Sequence, residues 1–317
     1  MIIDHPKCRR AEVRCVVDAH AGIGEGALWS PGEQALWWVE ILEKKLHRFD
    51  PTTGIDRVFD LPGYVGCVAL RERGGLMLAL HLGFARFDPA TAAIEILPDS
   101  APPEPGARYN DGVVSPDGRM LATTMPIVPP FDDALYSLRM LDHDGRLRCL
   151  TSGLKIGNGL AFSPDGRTLY LSDSHPTRNC IWAFDWDADD GVAHNQRLFF
   201  DATGLPGHPD GAAIDSDGYY WYAAAYGWCL VRLTPTGEID RIIPVPVQKP
   251  TKPAFGGARL DTLYLTSIGT NLAPGSEAHQ PHAGGLLALE PGAIGLRPAT
   301  VRESSPIASP SVEDLTR

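Results

Sequence analysis

One short turn recurs along the chain ahead of strand-like runs, and this recurrence restricts the fold to a repeat architecture. It reads Ser30-Pro31-Gly32-Glu33, Ser115-Pro116-Asp117-Gly118, Ser163-Pro164-Asp165-Gly166 and Asp215-Ser216-Asp217-Gly218. Proline at the second turn position presets φ, and glycine at the fourth suits the exit from a type I turn. Apolar runs such as Ala35-Leu36-Trp37-Trp38-Val39, Thr168-Leu169-Tyr170-Leu171 and Tyr219-Tyr220-Trp221-Tyr222 follow, with the aromatic content of strands. A second mark closes a hairpin further on, as in Phe49-Asp50-Pro51, Phe87-Asp88-Pro89, Leu141-Asp142-His143, Phe184-Asp185-Trp186 and Leu233-Thr234-Pro235. These marks lie about 38 to 54 residues apart, the length of a blade of four short strands. With a last unit from Phe255-Gly256-Gly257 to Thr262-Leu263-Tyr264-Leu265, the count is about six. The expected fold is all-β, a six-bladed β-propeller.

The abundance of turn formers, Gly 33 and Pro 28, agrees with many short segments rather than helices. Glu40 to Leu46 has a helical look, but it lies between two strand signals at hairpin spacing, so a turn at Glu43-Lys44-Lys45 is expected. We read residues 1–317 as one propeller domain. Residues 1–12 are expected to be a flexible tail or the outer strand that latches the ring. The stretch from Pro291 is expected to hold a closing strand, then a flexible tail over 303–317. A net charge of −11 speaks against nucleic acid and anionic membrane surfaces as partners. No apolar stretch is long enough to span a bilayer, and no basic-then-apolar leader opens the chain. The six cysteines contain no C-x-x-C pair and read as reduced, buried thiols of a cytoplasmic protein. Nothing demands an oligomer, so a monomer or weak oligomer is expected.

Four polar residues, Glu25, Asn110, Asn158 and Asp210, each stand five residues before one of these turns. Repeat-equivalent positions fall at equivalent points around the axis of a closed ring, so the four side chains are expected to converge at one mouth of its channel. Polar residues that open a strand commonly do no more than satisfy loop backbone. Four at one repeat position, two of them acids that would repel if left bare, instead suit a hard divalent cation. The histidines show no H-E-x-x-H and no i, i+4 pair, so a zinc site of nitrogen and sulfur ligands is not expected.

The segments Gly24-Glu25-Gly26-Ala27-Leu28-Trp29, Arg108-Tyr109-Asn110-Asp111-Gly112, Gly157-Asn158-Gly159-Leu160-Ala161, Pro209-Asp210-Gly211 and Thr251-Lys252-Pro253-Ala254-Phe255-Gly256-Gly257 resemble, in this order, the SMP-30/gluconolactonase/regucalcin family of six-bladed propellers. The resemblance runs from about residue 15 to 290. It implies a single divalent metal held by Glu25, Asn158 and Asp210, with Arg108 and Asn110 holding the substrate. Calcium, magnesium, manganese, zinc and iron all remain open as the ion. It implies hydrolysis of a sugar-acid lactone, a small-molecule partner, with Asp210 as candidate general base. Asp111 is expected to point into its own turn, Lys252 to pack its stem under the rim, and His208 to shape the rim. Trp37, Trp38, Trp221 and Trp228 read as inter-blade core, although Trp228 or Tyr226 could stack on a sugar ring. One departure stands out: the stretch Ala122 to Asp133 lacks the glutamate that similar enzymes use on sugar hydroxyls. Asp132 or Asp133 is left as a substitute, and Arg178 on a nearby loop hints at a second acidic group on the substrate. Two other readings stay open: a calcium- or sugar-binding regulatory propeller without catalysis, and a metal-dependent esterase acting on another ester.

Overall fold

The computed structural model describes residues 5–102, 104–127 and 135–304. Six four-stranded antiparallel sheets form the blades of a β-propeller. Blade I holds β2 (Gly24–Ser30), β3 (Ala35–Glu40), β4 (Lys45–Asp50) and β5 (Ile55–Asp60), and blade II holds β6 (Val65–Leu70) to β9 (Ala93–Ile96). Blade III runs from β10 (Ala107–Val114) to β13 (Leu147–Leu154), and blade IV from β14 (Gly157–Phe162) to β17 (Val192–Asp201). Blade V runs from β18 (His208–Ile214) to β21 (Ile239–Pro244). Each recurring turn joins the first and second strand of its blade, as the sequence suggests. The helix-like stretch at residues 40–46 is the β3–β4 turn. Among the described residues the one short helical element is a 3-10 turn at Glu277–His279, and no helix is long and apolar enough to cross a membrane.

Six apolar clusters hold the ring together, one at each junction between neighbouring blades. Between blades I and II, Trp37 and Phe59 pack on Leu78, Leu80 and Phe87. Between blades VI and I, Trp29 stacks on Tyr264 with centroids 5.8 Å apart. Because both faces of each sheet meet a neighbour, middle strands such as β3 are buried throughout rather than on alternate residues. Trp37, Trp38 and Trp221 are core, as expected. Trp228 is not: it is half-buried in a turn at the channel mouth, with φ +58.

Blade VI is made from both ends of the chain. Its order from the axis outward is β22 (Pro250–Gly256), β23 (Thr262–Ser267), β24 (Leu286–Leu289) and then β1 (Val13–Val17), with Val13 opposite Leu289. The latch strand therefore lies just beyond residues 1–12, the stretch expected to be either a flexible tail or the latch. Nor does the stretch after Pro291 form a closing strand. It crosses the far mouth of the ring as a strap, touching blade V through the Asp215–Gly295 bridge and blade II through the Arg71–Val301 bridge. Glu303 anchors the strap by ion pairs to Arg71 and Arg86 at 2.7 and 2.6 Å. A strap is favoured over a fifth strand because β1 already occupies the outer edge of blade VI. The expected tail at 303–317 lies outside the described residues beyond Ser304.

Candidate active site

Each inner strand carries a bulge near the point where it enters the channel. The ladder shifts between Glu25 and Leu28, Val65 and Cys67, Tyr109 and Gly112, Asn158 and Ala161, Pro209 and Ala212, and Pro250 and Pro253. A bulge turns side chains out of the strict alternation of a strand. Here it gathers Glu25, Arg108, Asn110, Asp111, Asn158, Asp210 and Lys252, all buried, into a polar layer across the channel. Blade II supplies no polar side chain but lets the layer close. An alanine methyl at Gly66 would stand 2.3 Å from the Tyr109 carbonyl oxygen and 2.4 Å from that of Asn110, so only glycine permits this approach of β6 to β10.

A one-way hydrogen-bond relay orients the amides. Arg108 Nη1, which can only donate, bonds Asn110 Oδ1 at 2.8 Å, so Nδ2 of Asn110 must face the other way. That amide donates to Asn158 Oδ1 at 2.7 Å and to the Gly157 carbonyl at 3.0 Å. Asn158 Nδ2 in turn donates to Ser174 Oγ at 3.0 Å, and the Ser174 hydroxyl donates to the Pro209 carbonyl. The relay leaves Asn158 Oδ1 held in place with lone-pair capacity to spare. Arg108 Nη2 and Nε have no hydrogen bond among the described residues, so they remain available to an incoming group.

Below this relay Lys252 Nζ donates to Asp111 Oδ1 at 2.7 Å, and the Leu160 N–H donates to Asp111 Oδ2 at 2.8 Å. Asp111 thus reaches across to blades IV and VI, not into its own turn. The Lys252 ammonium is paired inside the channel rather than lifted toward the rim. This ion pair is the part of the site that the sequence reading missed. Its partners are 141 residues apart, and the one available signal was a lysine at the bulge position of β22, matching the acids of the other blades. A cavity of about 400 Å³ lies on the far side of the pair, walled by apolar residues such as Val68, Val113, Phe162 and Phe255 and floored by the strap at Leu296–Ala299. The ion pair is therefore the floor of the polar mouth.

By formal count the layer holds more acids than cations. Burial, then the Asp111 charge, pushes the Glu25 carboxyl up to about 7 against the pull of Lys252 and Arg108. Asp210 is raised well above its usual range by burial, then by Glu25 and Asp111. Burial also lowers the Arg108 guanidinium to about 10. Three acids against two cations, two of the acids reluctant to ionise, make a layer that gains from one more positive charge. Glu25 and Asp210 carboxylates with the Asn158 amide oxygen form an all-oxygen donor set that fits a hard divalent ion. None of these three side chains offers nitrogen or sulfur; Cys67 lies nearby, but burial and Asp111 drive its thiol up and away from ionisation.

Around the mouth, His208 Nδ1 lies 3.4 Å from Asn179 Oδ1 and its ring meets Tyr226 edge-on, which makes it a rim residue as expected. Tyr226 is 53% exposed, with φ +68 beside Trp228 in the same turn. Arg178 is exposed on the loop of blade IV at residues 174–179, the loop that also carries Ser174 to the relay. Asp132 and Asp133 lie outside the described residues.

The chain is thus a six-bladed propeller with an oxygen-rich polar layer in its channel, and comparison with known proteins shows its family. Residues 23–269 match the SMP-30/Gluconolactonase/LRE-like region, and the chain belongs to that family. It is 37% identical over 276 residues to a 6-deoxy-6-sulfogluconolactonase of Pseudomonas putida, covering 87% of this chain and 94% of that one. It is 32% identical over 287 residues to the pentonolactonase XacC of Haloferax volcanii, covering 88% and 94%. A crystal structure of the calcium-binding protein regucalcin from Agrobacterium tumefaciens superposes with a TM-score of 0.87 at 26% identity, covering 95% of this chain and all of that one.

Proposed function

We propose that the protein is a metal-dependent lactonase that opens a sugar-acid lactone, of the aldonic or aldaric type, to the free acid. The observation that carries this reading is the buried pair of carboxylates, Glu25 and Asp210, which burial and neighbouring acids hold against ionisation in the same channel layer as the fixed Asn158 amide. These three residues would hold the ion. A divalent cation bound there supplies Lewis acidity toward the lactone carbonyl and the developing oxyanion. Asp210 accepts the proton of the attacking water and passes it to the ring oxygen as that bond breaks. Asn110 and the free face of Arg108 hold substrate oxygens, Arg108 with two parallel N–H groups. The lactonase names of the two relatives support this reading, and Arg178 on the rim suits a substrate bearing a further anionic group.

The test is hydrolysis of a panel of aldono- and aldaro-lactones, followed by a pH indicator, with chelator-treated protein reloaded one metal at a time. Turnover should vanish on stripping and return with a single ion. Asp210→Ala should lose the bound ion and lower kcat at least about a hundredfold. Metal content and turnover unchanged in that variant would refute the assignment.

A further inference from the structure

We propose a second metal site, outside the channel, where Cys15, Asp18 and His282, with His20 alongside, take a thiophilic divalent ion such as zinc and clip the latch strand to its blade. This inference is independent of the lactonase reading.

One sulfur, one carboxylate oxygen and one imidazole nitrogen from these residues lie within 4.8 Å of one another. His282 Nδ1 is 3.2 Å from Asp18 Oδ1. Ligand atoms around a tetrahedral zinc sit roughly 3.3–3.7 Å apart, given metal–ligand distances of about 2.0–2.3 Å, so small side-chain rotations would close the shell. A fourth donor stands ready: His20 Nε2 is 3.6 Å from the other oxygen of Asp18, on a residue held at φ +50, which non-glycine residues rarely adopt.

The backbone is arranged around the same point. The β1–β24 ladder shifts register between Cys15 and Val17, which turns the end of the latch strand as it passes residue 282. Gly285 brings its backbone so near the thiol that an added methyl would lie 3.1 Å from Cys15 Sγ. Asp18 and His282 are about half exposed, so an ion can enter from solvent. Thiolate and imidazole select zinc, cobalt or nickel over calcium and magnesium, whereas the channel offers oxygen alone. The two sites therefore sort ions by hardness. Histidine spacing could not reveal this one, because its ligands come from opposite ends of the chain and meet only when the ring closes. An ion bound only in the closed ring stabilises it by mass action.

The experiment titrates chelator-stripped, intact protein with Co²⁺ and Zn²⁺ in excess Ca²⁺. One equivalent of Co²⁺ should produce a thiolate-to-cobalt charge-transfer band, and Zn²⁺ at about a hundredfold excess over its Kd should raise Tm by roughly 4 °C. Cys15→Ser should abolish both, and His282→Ala should weaken binding at least tenfold. Cys8→Ser and Cys149→Ser, which remove the other accessible thiols, should change neither, and Glu25→Gln should keep both. No thiolate band in the parent protein, or a band that survives Cys15→Ser, overturns the site and leaves an ordinary surface hydrogen bond between Asp18 and His282.

Discussion

A single buried lysine keeps the polar layer from tearing itself apart. Lys252 neutralises Asp111 directly and draws down the carboxyls of both Glu25 and Asp210, though burial and mutual repulsion outweigh it there. Lys252→Met leaves Asp111 buried and uncompensated, so stability should fall by about 3–5 kcal/mol in urea titrations. The loss should shrink when a divalent cation is added, since the ion replaces part of the missing charge. Glu25 makes a second test through pH. Its carboxyl is held up to about 7 in the folded, metal-free protein and lies at 4.5 otherwise, so the fold favours the protonated form. That contribution is complete below about 4.5 and is lost as pH rises through 7, costing on the order of 3 kcal/mol. In chelator, Tm should therefore fall across this window, and with calcium bound the slope should flatten or reverse. Of this chemistry, the acids and amides were legible as repeat positions. The lysine pair was not, because its direction depends on a bulge and on a partner in the opposite blade of the ring.

At the scale of the strand, the bulge decides which side chains enter the polar layer. Counting back from the turn puts Glu25, Asn110, Asn158 and Asp210 in one position, yet the ladders show two geometries. In the opposed blades I and IV the channel residue, Glu25 or Asn158, is the last paired one, followed by a glycine at φ +61. In blades III and V the polar residue itself opens the bulge, and the following residue has no left-handed φ. The repeat was therefore legible and its break was not: periodicity reports strand spacing, while a one-residue slip leaves the residue count unchanged. The geometry makes Gly159 a critical position. A methyl there would meet Tyr220 Oη at 2.4 Å and Ser172 Oγ at 2.6 Å, in a conformation unfavourable to any side chain. The Tyr220 hydroxyl also donates to the Gly159 carbonyl at 2.7 Å. Gly159→Ala should cost more than about 2 kcal/mol and should weaken metal binding by moving Asn158. Calorimetric titration of a divalent ion would read the second effect, and affinity equal to the parent's would show that Asn158 is not a ligand.

For the whole molecule, the question is what closes the ring. Packing between blades I and VI joins the two ends through Trp29, Trp38 and Tyr264, and β1 adds hydrogen-bonded pairing along β24. Residues ahead of β1 reach further, since the Arg9 N–H donates to the Ile242 carbonyl and the Ile242 N–H to the Lys7 carbonyl, tying the N-terminal segment to blade V. The need for a latch was legible, because a closed repeat must join its ends. Its place was not, because nothing in the sequence separates β1 at residues 13–17 from residues 7–9, which pair with blade V instead. Without β1, the edge of β24 would be bare and open to pairing with another chain. Deleting residues 1–17 should lower Tm by more than about 10 °C and promote self-association, read by light scattering on heating. A synthetic peptide spanning residues 7–20 should restore both properties when added in trans, because it rebuilds the β24 edge and the contacts to Ile242. A truncated protein that stays monomeric at the parent's Tm would mean that apolar packing between blades closes the ring unaided. The latch would then serve to cover an edge rather than to hold the propeller shut.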